Sequence, residues 1–168
     1  VGAVGPAVPG DVIAGRYRIE GWLGQGNMAA VFRAIHLATD RAVALKLVHA
    51  HLIERREICD LFIREARVGA RIGKNAHIVD VLDAGIDERR GVPFLAMELL
   101  EGDTLDRYVK KNGPMPPSLV RTLFMHLADA LDQAHAAGVD HRDLKPGNLF
   151  LTRERKNAPS LKVVDFGI

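Results

Sequence analysis

The chain has 168 residues, 48% of them hydrophobic, with 23 Lys+Arg against 21 Asp+Glu and a formal net charge of +2 at pH 7; this supports one domain-sized core and excludes disorder as the main state. The charge falls far short of the Lys/Arg footprint of a protein held on phosphates, which argues against nucleic acid as a partner. Cys59 stands alone, which excludes an intrachain disulfide and a cysteine-based zinc site and leaves the cytoplasm as the natural compartment.

Residues 1–10 contain only Val, Gly, Ala and Pro and are expected to form a flexible lead-in, without the basic n-region of a signal peptide. No run approaches the roughly 18 apolar residues of a membrane span, so none is expected in this segment. From Tyr17 to Val48 apolar residues alternate with period two, which predicts three strands in an antiparallel meander. Residues 54–72 carry Ile58, Leu61, Phe62 and Ala66 at helical spacing among charges and predict one amphipathic helix. Two apolar runs, Ile78 to Leu82 and Pro93 to Leu99, flank Asp87 to Gly91 and suit a second hairpin. The first half therefore reads as a five-stranded antiparallel sheet with one helix.

Beyond Gly102 the pattern turns helical, with Asp103 placed to cap a short helix through Lys111 and Ser118 to cap a long one to about Ala137. In the long helix Leu119, Leu123, Leu127 and Leu131 form one stripe and Val120, Phe124, Ala128 and His135 a neighbouring one, a wide apolar arc that needs more neighbours than this chain supplies. The start at Val1 and the stop at Ile168, directly after an apolar strand-like run, both read as cuts.

Leu23-Gly24-Gln25-Gly26-Asn27-Met28-Ala29-Ala30-Val31 is a Gly-rich turn between strands, where missing side chains let backbone N–H groups approach phosphate oxygens. A dinucleotide fold would open a helix after such a turn, whereas Val31 to Ile35 alternates like a strand. A tight hairpin with two glycines is the bland alternative. Lys46 interrupts an apolar strand on the side of Ala42 and Ala44; a buried ammonium needs an anion, and Glu65 on the amphipathic helix is a candidate. A lysine simply reaching water from an edge strand fits equally well.

His141-Arg142-Asp143-Leu144-Lys145-Pro146-Gly147-Asn148 is the densest polar group in the chain, set between a long helix and an apolar run, the setting in which catalytic loops occur. Val163-Val164-Asp165-Phe166-Gly167 then ends a short apolar strand on a carboxylate. Asn148 and Asp165 offer hard oxygen ligands suited to Mg²⁺. Taken singly, either segment is also readable as a solvated charged loop.

Together, five motifs in this order resemble the protein kinase family, of the bacterial, eukaryotic-like serine/threonine type, from about Asp11 to Ile168. The resemblance implies an α+β, two-lobed kinase-like fold, with an N-lobe over about 11–100 and an incomplete helical C-lobe over about 101–168. It implies ATP and Mg²⁺ as cofactors and a protein carrying Ser or Thr as substrate. Gly24 and Gly26 would cover the phosphates, Leu23 would also contact the nucleotide, Lys46 would hold the phosphates, and Glu65 would pair with Lys46. Asp143 would accept or orient the substrate hydroxyl proton, Lys145 would steady the transferred phosphate, and Asn148 and Asp165 would hold Mg²⁺. Val31, Ala44 and Phe150 would sandwich the adenine, Met97 would guard the back of its pocket, and the backbones of Glu98 and Leu100 would bind its edge. Lys145, two places after Asp143, matches the Ser/Thr-specific pattern.

Departures from the family pattern are Ala29 in place of the loop's third glycine, expected to stiffen the turn, and Gly69 where a larger apolar side chain is usual. Residues 152–160 are expected to form an enlarged polar hairpin. The segment after Asp-Phe-Gly, with the activation loop and peptide platform, is absent from this sequence, so the chain alone is expected to phosphorylate no protein. Arg142 before Asp143 resembles kinases regulated by activation-loop phosphorylation. Related bacterial kinases often carry a membrane anchor and sensor outside the catalytic domain. A rival reading is a nucleotide-binding pseudokinase or scaffold, whose usual mark, loss of Lys46, Asp143 or Asp165, is missing. A metal cluster of His49, His51 and His77 is weaker than three surface histidines.

Overall fold

The alternating residues between Tyr17 and Val48 build the first sheet of the computed structural model, which describes residues 7–152 and 159–166, without the side chains of residues 61, 65, 66 and 70. Strands β1 (Val12–Ile13), β2 (Tyr17–Gln25), β3 (Ala29–His36), β4 (Arg41–Val48), β5 (Val81–Asp87) and β6 (Val92–Glu98) form an antiparallel sheet in the order β1-β2-β3-β4-β6-β5. It has six strands rather than five, because β1 pairs with the start of β2 through Val12 opposite Arg18 and Ile13 opposite Tyr17. Tyr17, Ile19, Phe32, Ala34, Val43, Leu45, Leu47 and Phe94 turn one way and make the core of this unit. The lead-in is ordered sooner than its composition predicts: Ala7 is buried in that core and the Gly10 N–H donates to Ile19 O at 2.9 Å. Its first six residues lie outside the described residues.

β5 departs from expectation. The apolar run starting at Ile78 is not its beginning; the strand starts at Val81, and its apolar Leu82 and Ile86 face out while Asp83 and Asp87 turn in. Asp83 accepts the Tyr17 hydroxyl at 2.7 Å. Asp87, 2% exposed, accepts N–H groups from Ala14 and Arg89, both at 2.9 Å, and from Arg90 at 3.1 Å. Burial pushes the Asp87 carboxyl up, but these three N–H groups and the Arg90 charge outweigh it and hold the carboxyl below its ordinary value.

Asp87→Ala leaves three N–H groups without their acceptor and is expected to lower unfolding free energy by about 2–4 kcal/mol at pH 7. Because the folded group titrates below the unfolded one (about 3.9), its stabilisation is complete above roughly pH 4 and is lost as pH falls through the lowered folded value. Urea denaturation should show a constant gap between variant and parent above about pH 4 that narrows on further acidification. A gap that stays constant below that pH would contradict the assignment.

The chain divides into two compact units, one reaching to Ala66 and including Val81–Leu99, the other comprising Arg67–Asp80 and everything from Leu100 onward. The division runs through helix α1 (Arg56–Ile72). The second unit contains α2 (Leu105–Asn112), α3 (Pro117–Ala136) and a three-stranded sheet of β7 (Gly102–Thr104), β8 (Leu149–Thr152) and β9 (Ser160–Val163). Two predicted caps shift. Asp103 lies in β7 opposite Leu151, so Thr104 precedes α2 instead, and Pro116 precedes α3, with Ser118 already inside its first turn. Gly102 is obligatory, since at φ 149° a Cβ would fall 1.9 Å from the Leu151 carbonyl oxygen.

Ile72, Ile78, Leu123, Ala130, Ala134, Leu149, Leu161, Val163 and Phe166 form the second core. Ile78 and Val79, read as strand residues, are drawn into it by a parallel bridge to Val163, with the Val163 N–H on His77 O at 2.8 Å and the Val79 N–H on Val163 O at 3.0 Å. Leu119 and Leu127 of the predicted stripe are only partly buried, while Val120 and Phe124, 66% exposed, line an apolar groove of about 610 Å³ with Leu105, Val109 and Met115. No helix among the described residues is long and apolar enough to cross a membrane.

Candidate active site

In the first unit the strand register assembles the predicted residues side by side. Val31 on β3 lies opposite Gly24 on β2 and Lys46 on β4, and on β6 Met97 lies opposite Ala44 and Glu98 opposite Val43. Val43, Leu45 and Leu47 take the core side of β4, which leaves Ala42, Ala44 and Lys46 on the other. Irregularities in β2 between Ile19 and Gly21 and between Trp22 and Gly24 bend the strand just before the glycine turn. Leu23 is exposed there.

Ala29 is the first residue of β3, 3% exposed and opposite Val48, so its methyl group packs into the sheet rather than riding on the turn. The Lys46 ammonium sits 5.7 Å from the centre of the Phe62 ring on α1, within cation–π range. Position 65 follows Phe62 by three residues and shares its helical face. The Glu65 side chain itself lies outside the described residues, and with it the predicted ion pair.

In the second unit the loop 141–148 is held by its own polar groups. His141, 4% exposed, rests against Phe166 with ring centres 4.8 Å apart. Its Nε2–H donates to Val164 O at 3.1 Å, and its Nδ1 accepts the Asp143 N–H at 3.3 Å. Burial holds the imidazole below its ordinary pKa despite the carbonyl of Val164 and the charges of Asp143 and Asp165, so the neutral ring is the form that fits both bonds.

Asp143 Oδ2 receives Lys145 Nζ at 2.6 Å and Asn148 Nδ2 at 3.0 Å; the same Nδ2 also donates to Asp143 O at 2.8 Å. The Lys145 bond, followed by that from Asn148, holds the exposed Asp143 carboxyl below its usual value and keeps it ionised. Asn148 is buried, and its backbone carbonyl oxygen accepts the Val164 N–H at 3.0 Å, which brings the loop alongside the segment leading to Asp165. Arg142 (φ 60°) and Asp165 (φ 53°) both adopt the left-handed backbone region, a strain found where a site must aim particular side chains. Gly167 and residues 153–158 of the polar hairpin lie outside the described residues, while Leu100 and Phe150 belong to this second unit.

The rings of His49 and His51 stack at 5.6 Å in the first unit, and His77, in the second, stacks on His126 at 4.0 Å. Sequence reasoning missed the bonds from Asn148 to Asp143 and the pairing of β7 with β8, for which Gly102 was the available signal.

The family model described as "Protein kinase domain" matches residues 17–168. The chain belongs to the protein kinase family. It is 41% identical over 157 residues to the serine/threonine-protein kinase Pkn1 of Myxococcus xanthus, covering 94% of this chain and 22% of that protein. It is 38% identical over 154 residues to the serine/threonine-protein kinase PknH of Mycobacterium tuberculosis, covering 92% and 24% respectively. The crystal structure of the M. tuberculosis PknI kinase domain superposes with a TM-score of 0.80 at 30% identity, covering 96% of this kinase chain and 62% of that one. The chain therefore has the α+β protein kinase fold in part, spanning about a quarter or less of Pkn1 and PknH.

Proposed function

We propose that this chain carries the nucleotide site and catalytic loop of a serine/threonine protein kinase that transfers the γ-phosphoryl group of Mg·ATP to a protein hydroxyl. The observation that carries this reading is Asp143, an exposed carboxylate whose Oδ2 accepts from both Lys145 and Asn148. In that role the hydroxyl oxygen forms the new bond to phosphorus, its proton passes to Asp143, and the bond from the γ-phosphorus to the β,γ-bridging oxygen breaks, releasing ADP. Lys145, ion-paired with Asp143 at 2.6 Å, is assigned to steady the transferred phosphoryl group. Asp143 thus serves as proton acceptor and Lys145 as a charge-stabilising group, both fixed before the reaction.

The Asn148 amide nitrogen donates to Asp143, and its side-chain carbonyl oxygen and the Asp165 carboxylate, both hard oxygen donors suited to Mg²⁺, are assigned to the metal. When bound, Mg²⁺ neutralises phosphate charge. In the first unit Gly24, Gly26 and Lys46 are assigned to the phosphates, and Leu23, Val31, Ala44, Met97 and Glu98 to the rest of the nucleotide. Leu100 and Phe150 are assigned to the adenine by the same likeness.

The test is transfer of labelled γ-phosphate to Ser and Thr of a general protein substrate by the full-length gene product. Lys46→Met should lower kcat/KM for ATP roughly 10- to 100-fold, the effect of losing one charge-assisted phosphate bond. A full-length protein that binds ATP but transfers nothing would favour the pseudokinase reading; one that does not bind ATP would overturn both.

A further inference from the structure

The Gly-rich turn is fastened to a residue that lies outside the kinase motifs. His49 follows β4 directly and precedes the short 3-10 turn Ala50–Leu52, yet its ring makes no capping bond there. Instead its Nε2 lies 2.9 Å from Gly26 O; a carbonyl only accepts, so Nε2 carries the proton. The backbone N–H of the same residue donates to Met28 O at 3.0 Å, and the Gly26 N–H closes the turn on Ala29 O at 2.9 Å. His49 is half-buried, and its ring is stacked by His51 at an interplanar angle of 15°.

Peptide planarity makes this tether directional. In a trans peptide the C=O of one residue and the N–H of the next point opposite ways, and no peptide among the described residues is cis. Holding Gly26 O against His49 therefore turns the Asn27 N–H away from His49. Among the described residues, no backbone carbonyl accepts from the N–H of Asn27 or of Met28. A turn with unclaimed N–H groups is an anion-binding concavity, and its affinity depends on how well those groups are oriented beforehand.

We propose that His49 is a positioning residue for phosphate binding, its ring fixing the Gly26–Asn27 peptide so that the Asn27 N–H is presented to a nucleotide phosphate. This rests on the nucleotide-site reading above. The decisive comparison is calorimetric binding of a non-hydrolysable Mg·ATP analogue and of adenosine to the full-length protein and to its His49→Leu and His49→Gln variants. His49→Leu should weaken the ATP analogue about 3- to 10-fold, the effect of one hydrogen bond, and leave adenosine within about 2-fold. His49→Gln, whose amide N–H reaches as far as Nε2, should recover most of the loss.

Equal affinity of His49→Leu for the ATP analogue, or an equal loss for adenosine, would overturn the tether and leave the nucleotide site standing. Failure of the unaltered protein to bind either compound would overturn the nucleotide reading itself, and the inference with it.

Discussion

Asp143→Asn is expected to reduce phosphoryl transfer by roughly 10³-fold in the full-length protein while leaving ATP affinity within about 2-fold, as expected when a proton-accepting group in the transition state is removed without disturbing its frame. The substitution is nearly isosteric. An asparagine keeps a carbonyl oxygen for the Asn148 Nδ2 that now lies 3.0 Å away, and the second bond from that amide, to the backbone oxygen at 2.8 Å, is untouched. What disappears is the negative charge, and with it both the site for the hydroxyl proton and the ionic part of the Lys145 bond. Steady-state transfer kinetics, with nucleotide affinity measured alongside, separate the two effects. Full transfer by the variant would remove Asp143 from the chemistry, and a parallel collapse of ATP affinity would mean that it mainly holds the loop together.

The meander β2 to β4 was legible because its alternation is real packing: Tyr17, Ile19, Phe32, Ala34, Val43, Leu45 and Leu47 all reach one core. The same rule misplaced β5, where Leu82 and Ile86 are exposed and two aspartates turn inward to serve Tyr17 and the 88–91 turn. No periodicity signals a carboxylate that three backbone N–H groups make affordable. Ile78 and Val79 misled for a related reason, since their apolar character belongs to the core of the other unit, reached through Val163. β1 and β7, with two and three residues, are too short to carry a pattern at all.

At the site, sequence supplied residue identities and little of their arrangement. Motif spacing put Asp143, Lys145 and Asn148 near one another along the chain, with Asp165 at the end of a later strand, but the backbone passes through the left-handed region at Arg142 and Asp165, and at Arg142 the residue type does not announce it. His141 is the sharper case. Its burial, its tautomer and its bond to Val164 O join the catalytic loop to the strand entering Asp165, and none of these follows from one histidine preceding Arg-Asp in a sequence.

Asn148→Asp is the second substitution with a large expected effect, and its sign with pH is diagnostic. The parent amide donates to Asp143 O at 2.8 Å and to Asp143 Oδ2 at 3.0 Å from a position only 7% exposed. A carboxylate there has no hydrogen to donate and places an oxygen against two acceptors, one of them charged. Losing both bonds and burying an unpaired charge should lower stability by about 3–5 kcal/mol at pH 7.5, with transfer falling roughly 10²- to 10³-fold. Such a group lowers its penalty by taking up a proton, so its pKa in the folded state rises above the unfolded value of about 3.9. Linkage then requires the variant to regain stability relative to the parent as pH falls through the raised folded value, with the recovery complete below about pH 4. Asn148→Ala has no group to titrate there and should show a flat deficit relative to the parent wherever Asp143 stays ionised, that is, above roughly pH 5. Urea denaturation of the three proteins between pH 7.5 and pH 4 distinguishes these outcomes; parallel curves for the Asp and Ala variants would mean that the amide does not face the Asp143 carboxylate in solution.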